Sequence, residues 1–319
     1  MKMDQVAAGK MNESVPLVYV VTLTWNQRED TLECLESLSQ LSYPNYRVLL
    51  VDNASVDGTV ARVQERFPEV EIVINPRNLG FPGGFNVGLR YALDRGSDFV
   101  FMINNDTFVE PRILDELMAY SGDPDVGMLS PKIYYAAEPD RIWTVGGKKH
   151  PWTLEMIDKG EKQFEHGQWD EVIERDYLIG CALLIKRSLL ERVGFLDDAY
   201  YPIYYEDADL SLRAREAGYR LLMVPSAKMW HKVSASGGGD DAPRVRYLMA
   251  RNSIRFFRKH VQGWQWLVII PYRAGSAVLW TFRLLFRGRL RSVVAHWRGL
   301  WDGLTKREVE APLHSTSGT

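Results

Sequence analysis

Short apolar runs alternate with helix-patterned segments through the first hundred residues, and no other feature narrows the possible folds as much. PLVYVVTLTW, YRVLLVDNAS, VEIVINP and DFVFMINND read as four buried strands. Between them, EDTLECLESLSQL sets Leu32, Leu35 and Leu38 at helical spacing, and DGTVARVQERF and GGFNVGLRYALDRG also read as helices. Such alternation predicts an α/β fold whose mainly parallel sheet is covered by helices on both faces. In open sheets of this kind ligands bind beyond the carboxyl ends of the strands. Thr24, Asp52, Asn78 and Asp106 stand just past such ends, so four polar side chains converge on one edge.

The remainder divides by composition. Residues 1–15 read as a loose N-terminal tail without the apolar core of a secretory signal, and 16–242 as the main domain. Within it, Trp143, Gly146, Gly147 and Trp152 precede a charged excursion, EKQFEHGQWDEVIER, that suits a long loop over more sheet. SASGGGDDAP, residues 234–243, is the strongest linker signal and a candidate mobile lid. Residues 243–307 read as helical, basic and Trp-rich, and 308–319 as a C-terminal tail. Cys34 and Cys181 lack metal-ligand spacing and lie in apolar stretches, as expected of reduced core residues in a reducing compartment.

The helical region holds fourteen Lys or Arg between Arg244 and Arg307 against Asp302 alone, a surplus of +13; a total of −2 leaves −15 elsewhere. A basic, Trp-rich region on an acidic body suits a phosphate-bearing partner, anionic lipid or nucleic acid. WQWLVIIPYRAGSAVLWTFRLLF is long enough for a membrane span, but Arg273 and Arg283 lie inside it and Pro271 interrupts it. On one helix Arg273, Arg283, Arg287 and Arg291 would share an arc of about 80°. The expectation is a helix lying in the membrane interface, with Trp at headgroup depth.

Several residues on the polar edge have chemistry to offer. Asp52 can accept the imide N–H of a uracil or thymine ring while Asn53 meets a ring carbonyl; equally, the pair can form an Asx turn. Asn78, Gly80, Gly83 and Gly84 form a glycine loop suited to a diphosphate, though it matches neither GxGxxG nor GxxxxGK[ST]. Asn104 and Asp106 alternate to one side of their strand. A hard divalent ion on a substrate diphosphate needs only one or two protein ligands, for which Asp106 and His231 are candidates. In YYEDADLSLR, Asp207 falls at the start of a helix, where it can cap that helix, remain ionised, or do both.

Taken in order, T-x-N, V-D-N-A-S-x-D-G-T, N-x-G-x-x-G-G-x-N-x-G, N-N-D, G-x-x-x-L-I-x-R and Y-x-E-D-x-D-L-x-x-R resemble the family 2 glycosyltransferases of GT-A fold, over roughly residues 16 to 260. Within that family the chain is most similar to the rhamnosyltransferase-like branch of bacterial surface-polysaccharide synthesis. The resemblance implies that Thr24, Asn26, Asp52 and Asn53 hold the nucleoside and that Asn78, Gly80 and Asn86 line its ribose and diphosphate. It makes Asp106 the last carboxylate of the DxD element, binding Mg2+ or Mn2+ with His231. Asn104 stands where that element has its first Asp. Asp207 becomes the catalytic base, and Glu206 and Tyr205 acceptor contacts.

The implied reaction is inverting transfer of one sugar, such as L-rhamnose, from dTDP or UDP to a polyprenyl-diphosphate-linked saccharide at the cytoplasmic face of the bacterial inner membrane. No Q-x-x-R-W element follows Asp207, so single addition is expected over polymerisation. A sugar-phosphate nucleotidylyltransferase would carry a glycine- and basic-rich loop after the first strand, where this chain has TLTWNQRE. A noncatalytic nucleic-acid binder would use the basic region but leave the polar edge without a purpose, so no nucleic-acid partner is expected.

Overall fold

A computed structural model describes residues 15–233, 239 and 241–305. The expected tails, apart from Val15, and most of the 234–243 segment lie outside those residues. The chain opens as β1 (Val18–Thr24), α1 (Arg28–Leu38), β2 (Tyr46–Asp52), α2 (Thr59–Arg66), β3 (Glu71–Ile74), α3 (Gly80–Asp94) and β4 (Phe99–Asn104). It continues through β5 (Thr107–Val109), α4 (Ile113–Met118), β6 (Val126–Tyr135), β7 (Glu138–Thr144), β8 (Gly147–Lys149), β9 (Met156–Asp158), β10 (Ile173–Arg175) and β11 (Ala182–Lys186). Then come α5 (Arg187–Val193), α6 (Glu206–Glu216), β12 (Arg220–His231), α7 (Pro243–His260), α8 (Trp266–Phe286) and α9 (Leu290–Thr305).

Among the described residues the main sheet runs β10-β12-β6-β11-β4-β1-β2-β3, with β5 on β12 and β7 on β6. Parallel pairing unites β1 to β4, as their helical crossovers require, whereas β11 lies antiparallel between β4 and β6. The result is a mixed sheet whose parallel character is concentrated in its first half.

Period-two alternation sorts the core. Val18 and Val20 face a cluster with Leu32, Leu35 and Leu38 of α1 and Leu114 of α4. Tyr19 and Val21 face the opposite cluster, with Phe85 and Leu89 of α3 and Leu210 of α6. Each buried leucine contributes on the order of 1.5–3 kcal/mol. The glycines expected as a phosphate loop lie largely inside α3. A Cβ at Gly84 would come within 2.5 Å of Leu23, so that glycine seats the helix on β1.

Cys34 and Cys181 are both buried and free. The charged excursion is pinned from beneath: fully buried Lys132 of β6 holds Glu165 and Asp170, each at 2.8 Å.

The C-terminal basic helices form a helical appendage that packs onto the main body. Phe256 and Phe257 of α7 pack with Tyr200, Ala208 and Leu212 of the main body. On α9, a Cβ at Gly299 or Gly303 would overlap the α7 backbone, so the two helices touch closely. Pro271 lies within α8 without ending it, and the chain turns after Phe286. The four arginines expected on one arc are therefore divided: Arg273 and Arg283 are on α8, Arg287 is at the turn and Arg291 is on α9.

Candidate active site

A cleft of about 520 Å³ opens beyond the carboxyl ends of β1, β2 and β4. Thr24, Asn26, Asn53, Asn78, Gly80, Asn104 and Asp106 line it; of the four residues placed on the strand-end edge, Asp52 is not among the lining. Asn26 has φ 54° and accepts from Val56 N at 2.7 Å, which ties the β1 and β2 loops together. Asp52 is 1 % exposed; its Oδ2 caps the turn through Ser55 N at 2.9 Å, while Oδ1 is buried without a protein partner. The Asx turn and a receptive oxygen thus coexist.

Asn53 is committed to the scaffold. Its Nδ2 donates to Gly80 O at 3.0 Å and Asn78 Oδ1 at 3.3 Å, and its Oδ1 accepts from Asn75. Gly80 has φ +72°, and a Cβ there would stand 2.8 Å from Pro202 O. Asn86 does not face the cleft. It is 1 % exposed, and its amide exchanges hydrogen bonds with Leu196 and donates to Asp198. Helical periodicity inside α3 turns it toward that segment, so the expectation of ribose or diphosphate contact fails on geometry.

Pairing of β5 with β12 sets His231 opposite Thr107, and this brings His231 Nε2 to 3.0 Å from Asp106 Oδ1. Trp143 packs edge-on against the ring at 4.5 Å, and the buried Nδ1 has no hydrogen-bond partner. Two ligands at right angles on an ion with bonds of about 2.1 Å stand about 3.0 Å apart, so the pair has the separation a shared divalent cation needs. Nearby Asn104 Oδ1 is buried and unpartnered as well. Among the described residues no cluster of three or more His, Cys, Asp or Glu forms a self-sufficient metal cage.

Asp207 is the second residue of α6 and sits at its N-terminus as expected. Its Oδ2 accepts from Gly180 N at 2.9 Å and its Oδ1 from Ala208 N at 2.7 Å. Burial raises its pKa above the ordinary aspartate value, against the opposing pull of those N–H groups. Gly180 lies between Asp207 and Phe81, and Phe81 lines the cleft. The next residue, Cys181, accepts from Asn104 N at 2.9 Å, and its thiol is pushed up by burial and then by Asp106 and Asp207. Gly180 and Cys181 therefore link Asp207 to Asn104, two residues before Asp106, whereas Asp207 and His231 are not themselves among the residues that line the cleft.

Glu206 is 3 % exposed, and its Oε2 lacks a partner. Burial, then Asp207, holds its pKa well above the usual range, and the side chain is a buried acid rather than an open contact. Tyr205 packs against Phe256 at 5.2 Å, while Tyr204 lines the cleft. Both have positive φ, 85° at Tyr204 and 81° at Tyr205, a strained pair directly before α6.

Sequence reasoning missed several residues. Asn105 donates to Thr31 at 3.0 Å and Thr24 at 3.4 Å, and so occupies the Thr24 hydroxyl from within. Trp25, Phe81 and Arg244 line the cleft, the last from α7. Asn252 of α7 donates to the carbonyls of Tyr200, Ile203 and Tyr204. An unmatched aromatic directly after β1 was a usable signal for Trp25; Asn252 gave none.

The sequence model described as Glycosyl transferase family 2 matches residues 19–194, more than half the chain. The chain belongs to glycosyl transferase family 2. This glycosyltransferase is 28 % identical over 301 residues to an N-acetylglucosaminyl-diphospho-decaprenol L-rhamnosyltransferase of Mycobacterium tuberculosis, covering 85 % of this chain and 94 % of that one. A dTDP-rhamnosyl transferase of Shigella flexneri is 22 % identical, over 76 % of this chain and 80 % of its own. Among solved structures, a Pyrobaculum calidifontis mannosyltransferase in complex with GDP-Man and Mn2+ superposes with TM-score 0.59 at 19 % identity, covering 93 % and 89 % of the two chains. That likeness shows the GT-A fold of the glycosyltransferase.

Proposed function

We propose that this glycosyltransferase moves a single sugar, L-rhamnose first among candidates, from a dTDP or UDP donor to a polyprenyl-diphosphate-linked saccharide, with inversion. The carrying observation is the 3.0 Å Asp106–His231 pair at the cleft, together with Asp207 held by Gly180 N next to Cys181, whose carbonyl accepts from Asn104 N. The unpartnered Asp52 Oδ1 suits the imide N–H shared by thymine and uracil. The names of the two relatives supply rhamnose, dTDP and the decaprenol-linked acceptor.

In the reaction, the acceptor hydroxyl oxygen bonds to the anomeric carbon as the carbon–oxygen bond to the diphosphate breaks. The electron pair leaves on the diphosphate, and the hydroxyl proton passes to Asp207. Burial makes that carboxylate a stronger proton acceptor than a solvated one, and the two N–H groups fix its orientation. Mg2+ or Mn2+ held by Asp106 and His231 would supply positive charge for the departing diphosphate. Arg244 faces the same cleft.

Attachment to the cytoplasmic face of the bacterial inner membrane through α8 and α9 belongs to the same proposal. No helix among the described residues is long and apolar enough to cross a membrane. Yet Leu279, Phe286, Leu290, Val294 and Trp301 are all exposed along these two basic helices. That combination suits an anionic lipid surface. The test is a screen of nucleotide sugars with Mg2+ or Mn2+ and a lipid-linked GlcNAc acceptor, following nucleotide release and product configuration. Release of pyrophosphate instead of nucleoside diphosphate would mark a nucleotidylyltransferase.

A further inference from the structure

Where α7, α8 and α9 meet, the glycosyltransferase gathers arginines and a histidine that its sugar chemistry does not use. Arg273 of α8 donates to Ser253 Oγ at 2.9 Å and lies over Phe257 at 5.0 Å, but its buried Nε has no partner. His296 of α9 is 6 % exposed, and its Nε2 is also buried and unpartnered. Arg246 of α7 and Arg283 of α8 both lie over the Trp280 ring, at 4.2 Å and 4.6 Å. Burial and then the fields of Arg246 and Arg273 depress His296 to a pKa of about 4, so these groups share one electrostatic environment. The nearby acids are Asp241, which pairs with Arg287, and Glu155. Asp241 also lies in the fields of Arg246 and Arg283, so among the described residues these two carboxylates face Arg246, Arg273, Arg283 and Arg287.

Two neighbours say what kind of anion fits. Tyr205, one residue before α6, feels both Arg273 and Arg246, so the cationic group borders the loop that leads to Asp207. On the other side a cleft of about 440 Å³ runs along α8 between Tyr272, Leu279, Trp280 and Arg283. Its walls are mainly apolar, and Leu279 continues into the exposed face at 71 % accessibility. A ligand with a phosphate head and a hydrocarbon chain satisfies both halves, because guanidinium groups grip phosphate and the cleft accepts the chain.

We infer that Arg273, His296 and Trp280, reinforced by Arg246 and Arg283, form a subsite for an isoprenoid diphosphate, the lipid-linked end of the acceptor. The inference rests on the acceptor class proposed above and adds the residues that recognise its non-sugar part. Its geometry implies a division of labour. The cleft at Asp106 holds the donor, and the helical junction measures whether the acceptor carries a diphosphate.

The test titrates the full chain with farnesyl diphosphate in EDTA, so that no cation can recruit the ligand to Asp106 and His231. Tryptophan fluorescence and calorimetry read binding, with farnesol and phosphatidylglycerol vesicles as comparators. Farnesyl diphosphate should bind saturably, and at least tenfold more tightly than farnesol. Arg273→Gln should weaken it at least tenfold, with Arg273→Lys recovering part of the loss. Trp280→Leu gives a second variant, and thermal melting shows that each is folded. Unchanged binding by folded Arg273→Gln, or equal affinity for farnesol, would overturn the inference. Displacement of farnesyl diphosphate by phosphatidylglycerol at matched concentration would also overturn it, because the site would then serve bulk headgroups. Donor turnover is assayed separately: failure there with diphosphate binding intact would reject the transfer reading and leave this subsite standing.

Discussion

Asn252→Ala tests whether the α7 helix holds the loop before Asp207 in place. The Asn252 side chain, 1 % exposed, spreads two N–H bonds over the carbonyls of Tyr200, Ile203 and Tyr204 at 3.1, 3.0 and 2.9 Å. At about 0.5–1.5 kcal/mol net for each hydrogen bond, the anchor contributes about 1–3 kcal/mol. The positive φ values at Tyr204 and Tyr205 oppose it at about 1–2 kcal/mol each, so about 2–4 kcal/mol of strain is offset locally by a comparable term. Without the amide the loop should relax, moving the start of α6 and Asp207 with it. Strain release keeps the loss of stability below the roughly 1–3 kcal/mol that the anchor contributes. A displacement near 1 Å lowers turnover by about 10². Saturating-substrate kcat and urea midpoints, measured together, decide the matter. A folded variant with kcat within about threefold of wild type would refute the reasoning.

Other expectations follow from the same geometry. Asp207→Asn should lower kcat by about 10²–10⁴ while leaving the donor KM within about twofold, as read by nucleotide release. Asp106→Asn and His231→Ala should each raise the Mn2+ concentration needed for half-maximal activity by at least about tenfold, without altering the urea midpoint comparably. His296, at about 4 against an ordinary 6.5, binds its proton in the unfolded chain first. Stability should therefore fall as pH drops from 6.5 to 4, by up to about 3 kcal/mol, and His296→Gln should flatten that slope in urea unfolding. Parallel slopes would reject this account.

The first half of the fold was legible because each buried strand is a continuous apolar run and each crossover helix repeats its leucines at helical spacing. The same logic put Asp106 and Asp207 at strand and helix ends. Asn86 misled because a glycine-rich helix start looks like a phosphate loop in one dimension; only the phase of α3 turns it toward Leu196. Asn252 was invisible for the complementary reason. Its run, LMARNSIRFF, is ordinary amphipathic helix, and its acceptors lie about fifty positions earlier in the chain. Glu206 looked like an open acid because burial by tertiary neighbours leaves no local mark.

The close seating of α9 on α7 has a practical corollary for anyone preparing a shortened enzyme. Trimming the greasy C-terminal end to improve solubility would strip the brace from the helix that steadies Tyr204 and its neighbours. This portion of the glycosyltransferase is less a detachable anchor than a keystone. Solubility is better sought by recolouring its outward residues, Phe286 or Trp301 among them, and leaving the inward glycines untouched.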